Sequence, residues 1–244
     1  MSFLAIVQAR MGSTRLPKKV MKEIMGVPSI KYLLDRLSKS NKLDEIIVAT
    51  SSEEVNKPLI KYLDEIGYKV FIGSEDNVLE RYYLASKNYK NHNIVRITGD
   101  CPLVDSSLLD KMIDYFIAHN SDYLSNLWPR SFPKGLDIEI FTYQSLKRAY
   151  HETNDKYDLE HVTPYIRESG KFNVTNYSNK NDIIKLIGPP STKSTFDNDL
   201  WIYIERKESK TSIITLGKRR LILNNILILE MDDMGILVKK NFLN

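Results

Sequence analysis

The chain has a single cysteine, Cys101, so no disulfide can close within it and a reducing compartment is the expected setting. No stretch of about 18 consecutive apolar residues occurs, the length a helix needs to cross a bilayer, and no membrane partner is expected. The first residues lack the basic start, long apolar stretch and cleavage site of a secretory leader, which points to a cytoplasmic protein. Histidine is scarce, at 4, and no His/Cys cluster suggests zinc. A strong charge of one sign is missing too. The formal net charge of +4 is small and dispersed, which argues against nucleic acid and suits a local site for a phosphate-bearing small molecule. The Walker pattern G-x-x-x-x-G-K-[ST] and the dinucleotide pattern G-x-G-x-x-G are absent, as is any Ser-His or Cys-His arrangement for a covalent intermediate.

With 42% hydrophobic and 27% charged residues in 244, the chain can bury a core and suits one large domain or one domain with a small appendage. Apolar runs at 3–8, 45–50, 68–73 and 93–99 read as strands. They alternate with helical patterns from Ser29 to about Ser40 and over 53–66, 77–90 and 105–120. Such alternation implies a doubly wound, mostly parallel α/β sheet. Farther on, 136–141 alternates like a strand, 143–151 and 158–168 look helical, and an inserted or appended lobe is expected. In sheets of this kind ligands bind beyond the carboxyl ends of the strands. The loops at 8–19, 50–54, 73–77 and 99–105 all follow strands and should share one edge.

The first of these loops lies in VQARMGSTRLPKKV, residues 7–20. Arg10, Arg15, Lys18 and Lys19 can neutralise several phosphate oxygens, Gly12 and Ser13 offer backbone N–H groups, and Pro17 stiffens the turn. The plain alternative is a solvated basic loop. Asp100, at the end of the fourth strand, is placed either to hold Mg²⁺ against a triphosphate or to cap the next helix; capping suits Asp105 better. Thr50 and Ser51 could bond a base or ribose, or close a loop. Cys101 reads as a small buried residue.

The order R-x-x-S-x-R-L-P-x-K resembles the signature of the cytidylyltransferases that activate sugar acids, nearest to the branch named for spore coat polysaccharide biosynthesis. RITGDCPLVD (96–105), GSEDNVLERYY (73–83), FPKGLDIEIF (132–141) and LEHVTPYI (159–166) match further motifs of that family, in order. The resemblance implies a three-layer, Rossmann-like nucleotidyltransferase (GT-A-like) fold and transfer of a cytidylyl group from CTP to an acidic sugar. It implies Arg10, Ser13, Arg15 and Lys19 as triphosphate ligands with Ala9 and Gly12 beside them, and Asp100 on Mg²⁺. Asp76 and Arg81 would lie near the nucleotide edge, Asp137 and Glu139 on one strand face toward acceptor or metal, and His161 near the acceptor. Such enzymes are commonly homodimers. A glycine commonly precedes the lysine in this family, where the chain has Lys18. Two other readings stand beside this one: a glycosyltransferase using a sugar nucleotide, although no D-x-D motif occurs at 100–105, and a non-catalytic nucleotide-binding module.

The motif likeness ends near Ile187, which divides the chain into a cytidylyltransferase-like domain, 1–187, and a divergent tail, 188–244, that is expected to be aberrant or poorly packed. Codons such as TCG-ACG-AAG-AGT-ACG for Ser191–Thr195 read in a neighbouring frame as Asp-Glu-Glu-Tyr, the kind of acidic segment the family carries there. Either the tail is translated out of frame, or it is a genuine variant in which Asp197 supplies the second metal carboxylate.

Overall fold

The N-terminal apolar run forms β1 (Ser2–Gln8), whose interior residues, Phe3 to Val7, are all buried. A strand buried on both faces is what the middle of a parallel sheet requires. This is a computed structural model, and it describes residues 1–12, 16–178, 192–194, 199–208, 221–231 and 237–243. By its internal contacts the chain divides into two units, Met1–Trp128 with Phe132–Tyr177, and Pro129–Ser131 with Ser178–Asn244.

In the first unit, β1 leads through a short helical turn (Lys19–Met21) and a hairpin, β2 (Glu23–Ile24) and β3 (Val27–Pro28), into α1 (Ser29–Leu37). There follow β4 (Glu45–Ser51), a second short turn (Glu54–Asn56), α2 (Lys57–Glu65), β5 (Lys69–Gly73), α3 (Val78–Ala85), β6 (His92–Thr98) and α4 (Ser106–Ala118). The remainder is β7 (Tyr123–Ser125), β8 (Glu139–Phe141), α5 (Tyr143–Glu152), α6 (Lys156–His161), α7 (Pro164–Glu168) and β9 (Val174–Asn176). Helix starts follow their capping residues. The Asn77 side chain accepts from the Glu80 N–H, Asp105 from Leu108 and Thr142 from Ser145. The capping role of Asp105 is therefore as expected.

The seven strands order as β5-β4-β1-β6-β8-β7-β9. All neighbours pair in parallel except β8, which runs antiparallel to both β6 and β7. Alternation along β1 divides the core in two. Leu4 and Ile6 join Leu79 and Tyr82 of α3 and Leu146 of α5 on one face. Phe3 points to the other face and meets Phe116 of α4 edge-on, with ring centroids 6.1 Å apart. The three-layer, mostly parallel α/β architecture is as the sequence predicts.

Two local expectations need correction. The single helix over 158–168 is two, α6 and α7, broken at Val162 and Thr163 ahead of Pro164. The strand expected at 136–141 is only Glu139–Phe141, with every residue buried, so it has no wet face. The short strands β7 and β9 have too few residues to show a period.

In the second unit, β10 (Thr192–Ser194), β11 (Asp199–Glu208), β12 (Leu221–Met231) and β13 (Leu237–Leu243) form an antiparallel sheet in that order. Ile204 pairs with Ile226, and Leu227 with Phe242. The Ile- and Leu-rich sequence suits strands. Asp197 lies outside the described residues, as do Ser13 and Arg15.

Candidate active site

Chain order in the sheet reverses between β1 and β6: β4 and β5 extend one side of β1, and β6 opens the other. The carboxyl ends of strands flanking such a reversal leave a crevice for a ligand. Here the segment after β1 is held tightly between its neighbours. Ala9 N–H donates to Ala49 O at 3.1 Å, and Gly99 N–H donates to Gln8 O at 2.8 Å. A Cβ at Gly99 would sit 3.0 Å from that of Ala9 and 3.1 Å from Gln8 O, so any side chain there forces its neighbours to shift. Met11 N–H donates to Asn56 Oδ1 at 2.8 Å, while the buried Asn56 amide donates to Ser51 Oγ at 2.7 Å.

The loop closes where Lys18 N–H meets Met11 O at 3.0 Å. Lys18 itself is left-handed, at φ 59° and ψ 23°, a conformation glycine adopts without strain. Lys19 then projects toward β6, and its Nζ lies 2.6 Å from Asp100 Oδ2. Burial alone would raise the Asp100 pKa, but hydrogen bonds from Lys19 and Thr98 outweigh it and hold the carboxyl below its usual range.

Beside this pair opens a cleft of about 770 Å³. Gln8 and Arg10 line it from the end of β1, Glu75 and Asp76 from the loop after β5, and Arg81 from α3. Arg96 and Asp100 come from β6 and the turn after it, and Lys156, Glu160 and His161 from α6. Arg10 pairs with Glu75. Burial opposes ionisation of Glu75, yet the Ser51 hydroxyl and Arg10 keep its carboxyl below the usual range. Arg81 is 1% exposed and donates to Ser74 O at 2.5 Å, fixing the loop that carries Glu75 and Asp76. Burial lowers its pKa, but an arginine remains charged.

Deeper in the cleft, Arg96 donates to the Glu139 carboxylate, which also accepts from Tyr123 and Thr163, both at 2.7 Å. Burial works against both charges. The Glu139 charge nevertheless raises Arg96, while Arg96 and the two hydroxyls hold Glu139 below its usual range. Thr163 follows a strained turn. Val162 is fully buried at φ 72° and ψ −51°, and Thr163 N–H donates to His161 O at 2.9 Å. A β-branched residue in this γ-turn conformation costs about 1–3 kcal/mol, which the surrounding packing must offset.

The structure thus brings Arg10, Lys19, Arg81, Asp100 and His161 around one crevice, with Gly12 exposed on the loop above. Ala9 is buried in the seam against Gly99. Thr50 and Ser51 need correction. Both are fully buried and so cannot face a base or ribose, and Ser51 braces Asn56 instead. Glu139 is likewise buried, with its carboxylate turned to Arg96, Tyr123 and Thr163. Asp137 is half-buried near the Cys101 thiol. Arg96, Lys156 and Asn56 were not singled out by sequence; a lone arginine inside an apolar strand was the available signal for Arg96.

Among the described residues no group of three His, Cys, Asp or Glu could hold a metal. A divalent cation that takes one or two carboxylates and completes its shell with phosphate oxygens needs no such group, and Asp100 is a carboxylate of the kind it uses.

Residues 4–216 match the family described as cytidylyltransferase. The chain belongs to the cytidylyltransferase family. It is 37% identical to the spore coat polysaccharide biosynthesis protein SpsF of Bacillus subtilis, over 67% of this chain and 69% of that one. A solved cytidylyltransferase from Leptospira borgpetersenii matches with a TM-score of 0.69 and 36% identity, covering 74% of this chain and 77% of that one. A CMP:2-keto-3-deoxy-manno-octonic acid synthetase complexed with CTP superimposes with a TM-score of 0.56 over 73% of this chain and 90% of that one. At 14% identity that likeness shows the fold alone. As a family member the chain is a nucleotidyltransferase.

Proposed function

We propose that the protein transfers a cytidylyl group from CTP to a hydroxyl of a small acidic sugar and releases pyrophosphate. The product would serve cell-surface polysaccharide synthesis, with the reaction run in the cytoplasm, where CTP is made. The observation that carries this reading is the Lys19–Asp100 pair at the sheet's reversal point, with Arg10 on the same cleft.

The acceptor oxygen attacks the α-phosphorus, and the bond from that phosphorus to the bridging oxygen of the β-phosphate breaks opposite it. Arg10, Arg15 and Lys19 neutralise the charge that grows on the leaving pyrophosphate. The N–H groups of Gly12 and Ser13 supply further donors to phosphate oxygens. Lys19 exchanges Asp100 for a phosphate as the triphosphate enters. Asp100 would hold Mg²⁺, which when bound withdraws charge from the phosphate oxygens. His161 and Lys156 on α6, with Asp137, face the acceptor.

The test is pyrophosphate release from CTP with Mg²⁺ and a panel of 2-keto sugar acids. Release that depends on one acid is the expected result. CTP binding without release would identify a binding module, and consumption of a UDP-sugar would identify a glycosyltransferase. Sedimentation of the same sample reports whether the active species is a homodimer.

A further inference from the structure

The buried ion pair beneath the cleft has a part to play that Asp100 and Lys19 do not. Arg96 lies on β6 two residues before its end at Thr98, which at about 3.3 Å per residue places it roughly 7 Å back from the turn that carries Asp100. Its side chain is 14% exposed, and it borders the cleft. Three neighbours fix the guanidinium: Glu139 binds one nitrogen, Gln8 accepts from another at 3.3 Å, and the Tyr82 ring lies 5.9 Å away. Glu139 is only 4% exposed and already takes three donors, so it cannot reach a ligand. One of those donors, Thr163, sits two residues after His161, across the strained turn at Val162. A single carboxylate therefore fixes both a planar cation on the floor of the cleft and the segment that presents His161 on its wall.

We propose that Arg96 receives the carboxylate of the acceptor, and that Glu139 is the positioning residue that holds Arg96, and through Thr163 the His161 turn, in the receiving geometry. This rests on the transferase reading above. A guanidinium presents a rigid fork that matches a carboxylate, and one already immobilised loses little freedom on binding. The triphosphate end has its own cations in Arg10 and Lys19. Arg96, the cation of the deep end held in place by its neighbours, is therefore available, beside Lys156 of α6, for an anion on the other substrate.

The experiment compares the best sugar-acid acceptor with its carboxamide, in the full-length protein. Arg96→Lys keeps the ion pair but not the fork. It should raise the KM for the acid at least tenfold, leave the KM for CTP within twofold, and erase most of the preference for acid over amide. Glu139→Gln retains acceptors for Tyr123 and Thr163 and should shift the same ratio in the same direction, by about threefold or more. A purely structural pair would change CTP and acceptor alike and leave the acid-to-amide preference intact, and that result overturns the inference.

A readout in the unaltered protein guards against misfolded variants. Arg96 Nε is buried with no hydrogen-bond partner, so its N–H should exchange slowly enough for ¹⁵N detection. Its resonance should move on adding the acid and stay still with the amide. An unmoved resonance under saturating acid refutes the proposal. Wild-type inactivity on every acid, with CTP bound, overturns the transferase reading and this inference with it. Turnover with unchanged selectivity in Arg96→Lys overturns this inference alone.

Discussion

The ammonium of Lys19 stands 2.6 Å from a carboxylate oxygen of Asp100, across 81 positions of sequence. One group comes from the loop that leaves β1 and the other from the turn that leaves β6, so the pair exists only because those strands are neighbours. Both side chains keep about a third to a half of their surface exposed, at 34% and 46%. An exposed pair of this kind adds little to stability, and its removal should be felt in chemistry.

Lys19→Ala and Asp100→Asn should each lower kcat/KM by about 10²–10³ while changing the melting temperature little, on the scale seen when one group stabilising transition-state charge is lost. The Asp100 pKa lies below the ordinary range, so the carboxylate stays charged across the neutral region. Its ionisation should therefore not limit the rate between pH 6 and 8. Steady-state kinetics with CTP across that interval, beside a thermal melt of each variant, checks both statements.

Glu139 should govern stability in acid. Its folded pKa is lowered, so its contribution is fully present above the ordinary glutamate value of about 4.3 and is lost as pH falls through the folded value. Breaking a buried ion pair by removing one partner costs about 3–5 kcal/mol. Glu139→Ala should show that loss in urea unfolding at pH 7, and the gap to wild type should narrow at pH values below about 4.3. A gap unchanged down to pH 3 would place the carboxylate's worth in packing rather than in charge.

Lys18 offers a test that separates conformation from charge. Its φ of 59° is strained for a residue with a Cβ, by about 1–2 kcal/mol, of which a glycine's greater unfolded freedom takes back about 0.5–1. Lys18→Gly should therefore raise the melting temperature by a few degrees at most and leave the KM for CTP within a few-fold. A tenfold rise in KM would assign Lys18 a direct phosphate contact instead.

How much of this was legible beforehand depends on the kind of signal each residue leaves. Apolar runs bounded by turn residues exposed the four parallel strands, and the loop cations stood out because they follow the first of them. Thr50 and Ser51 end a strand and look equally available, but only the fold shows that both are buried and that Ser51 is taken up by Asn56. Asp137 and Glu139 alternate as a wet strand would, yet Arg96 arrives from β6 and draws Glu139 into the core. Pairing between distant strands has no local trace, which is why the Arg96–Glu139 couple was invisible as a unit while each half lay in a recognisable motif. The break at Val162 was hidden for the opposite reason: its neighbours suit a continuous helix, and Pro164 was the only local sign against it.

Gly99 is where fold and site depend on the same atom. Its absent side chain lets the segment after β1 lie against the end of β6, and a methyl group there would meet Ala9 Cβ at 3.0 Å and Gln8 O at 3.1 Å. The nearest of these contacts belong to the Ala9 seam and the backbone, which cannot swing aside as a long side chain would. Gly99→Ala must therefore push the first loop away from the turn that carries Asp100, lengthening the Gly99–Gln8 hydrogen bond and parting Lys19 from Asp100. Overpacking of this kind costs about 1–3 kcal/mol, and a shift of a few tenths of an ångström is a fraction of the roughly 1 Å misplacement that costs about 10² in rate. The expected variant is folded, modestly less stable, and slower in pyrophosphate release by roughly three- to tenfold, with acceptor binding at the deep end of the cleft unchanged. Loss of acceptor binding to the same degree would mean that the two ends of the cleft are not held independently.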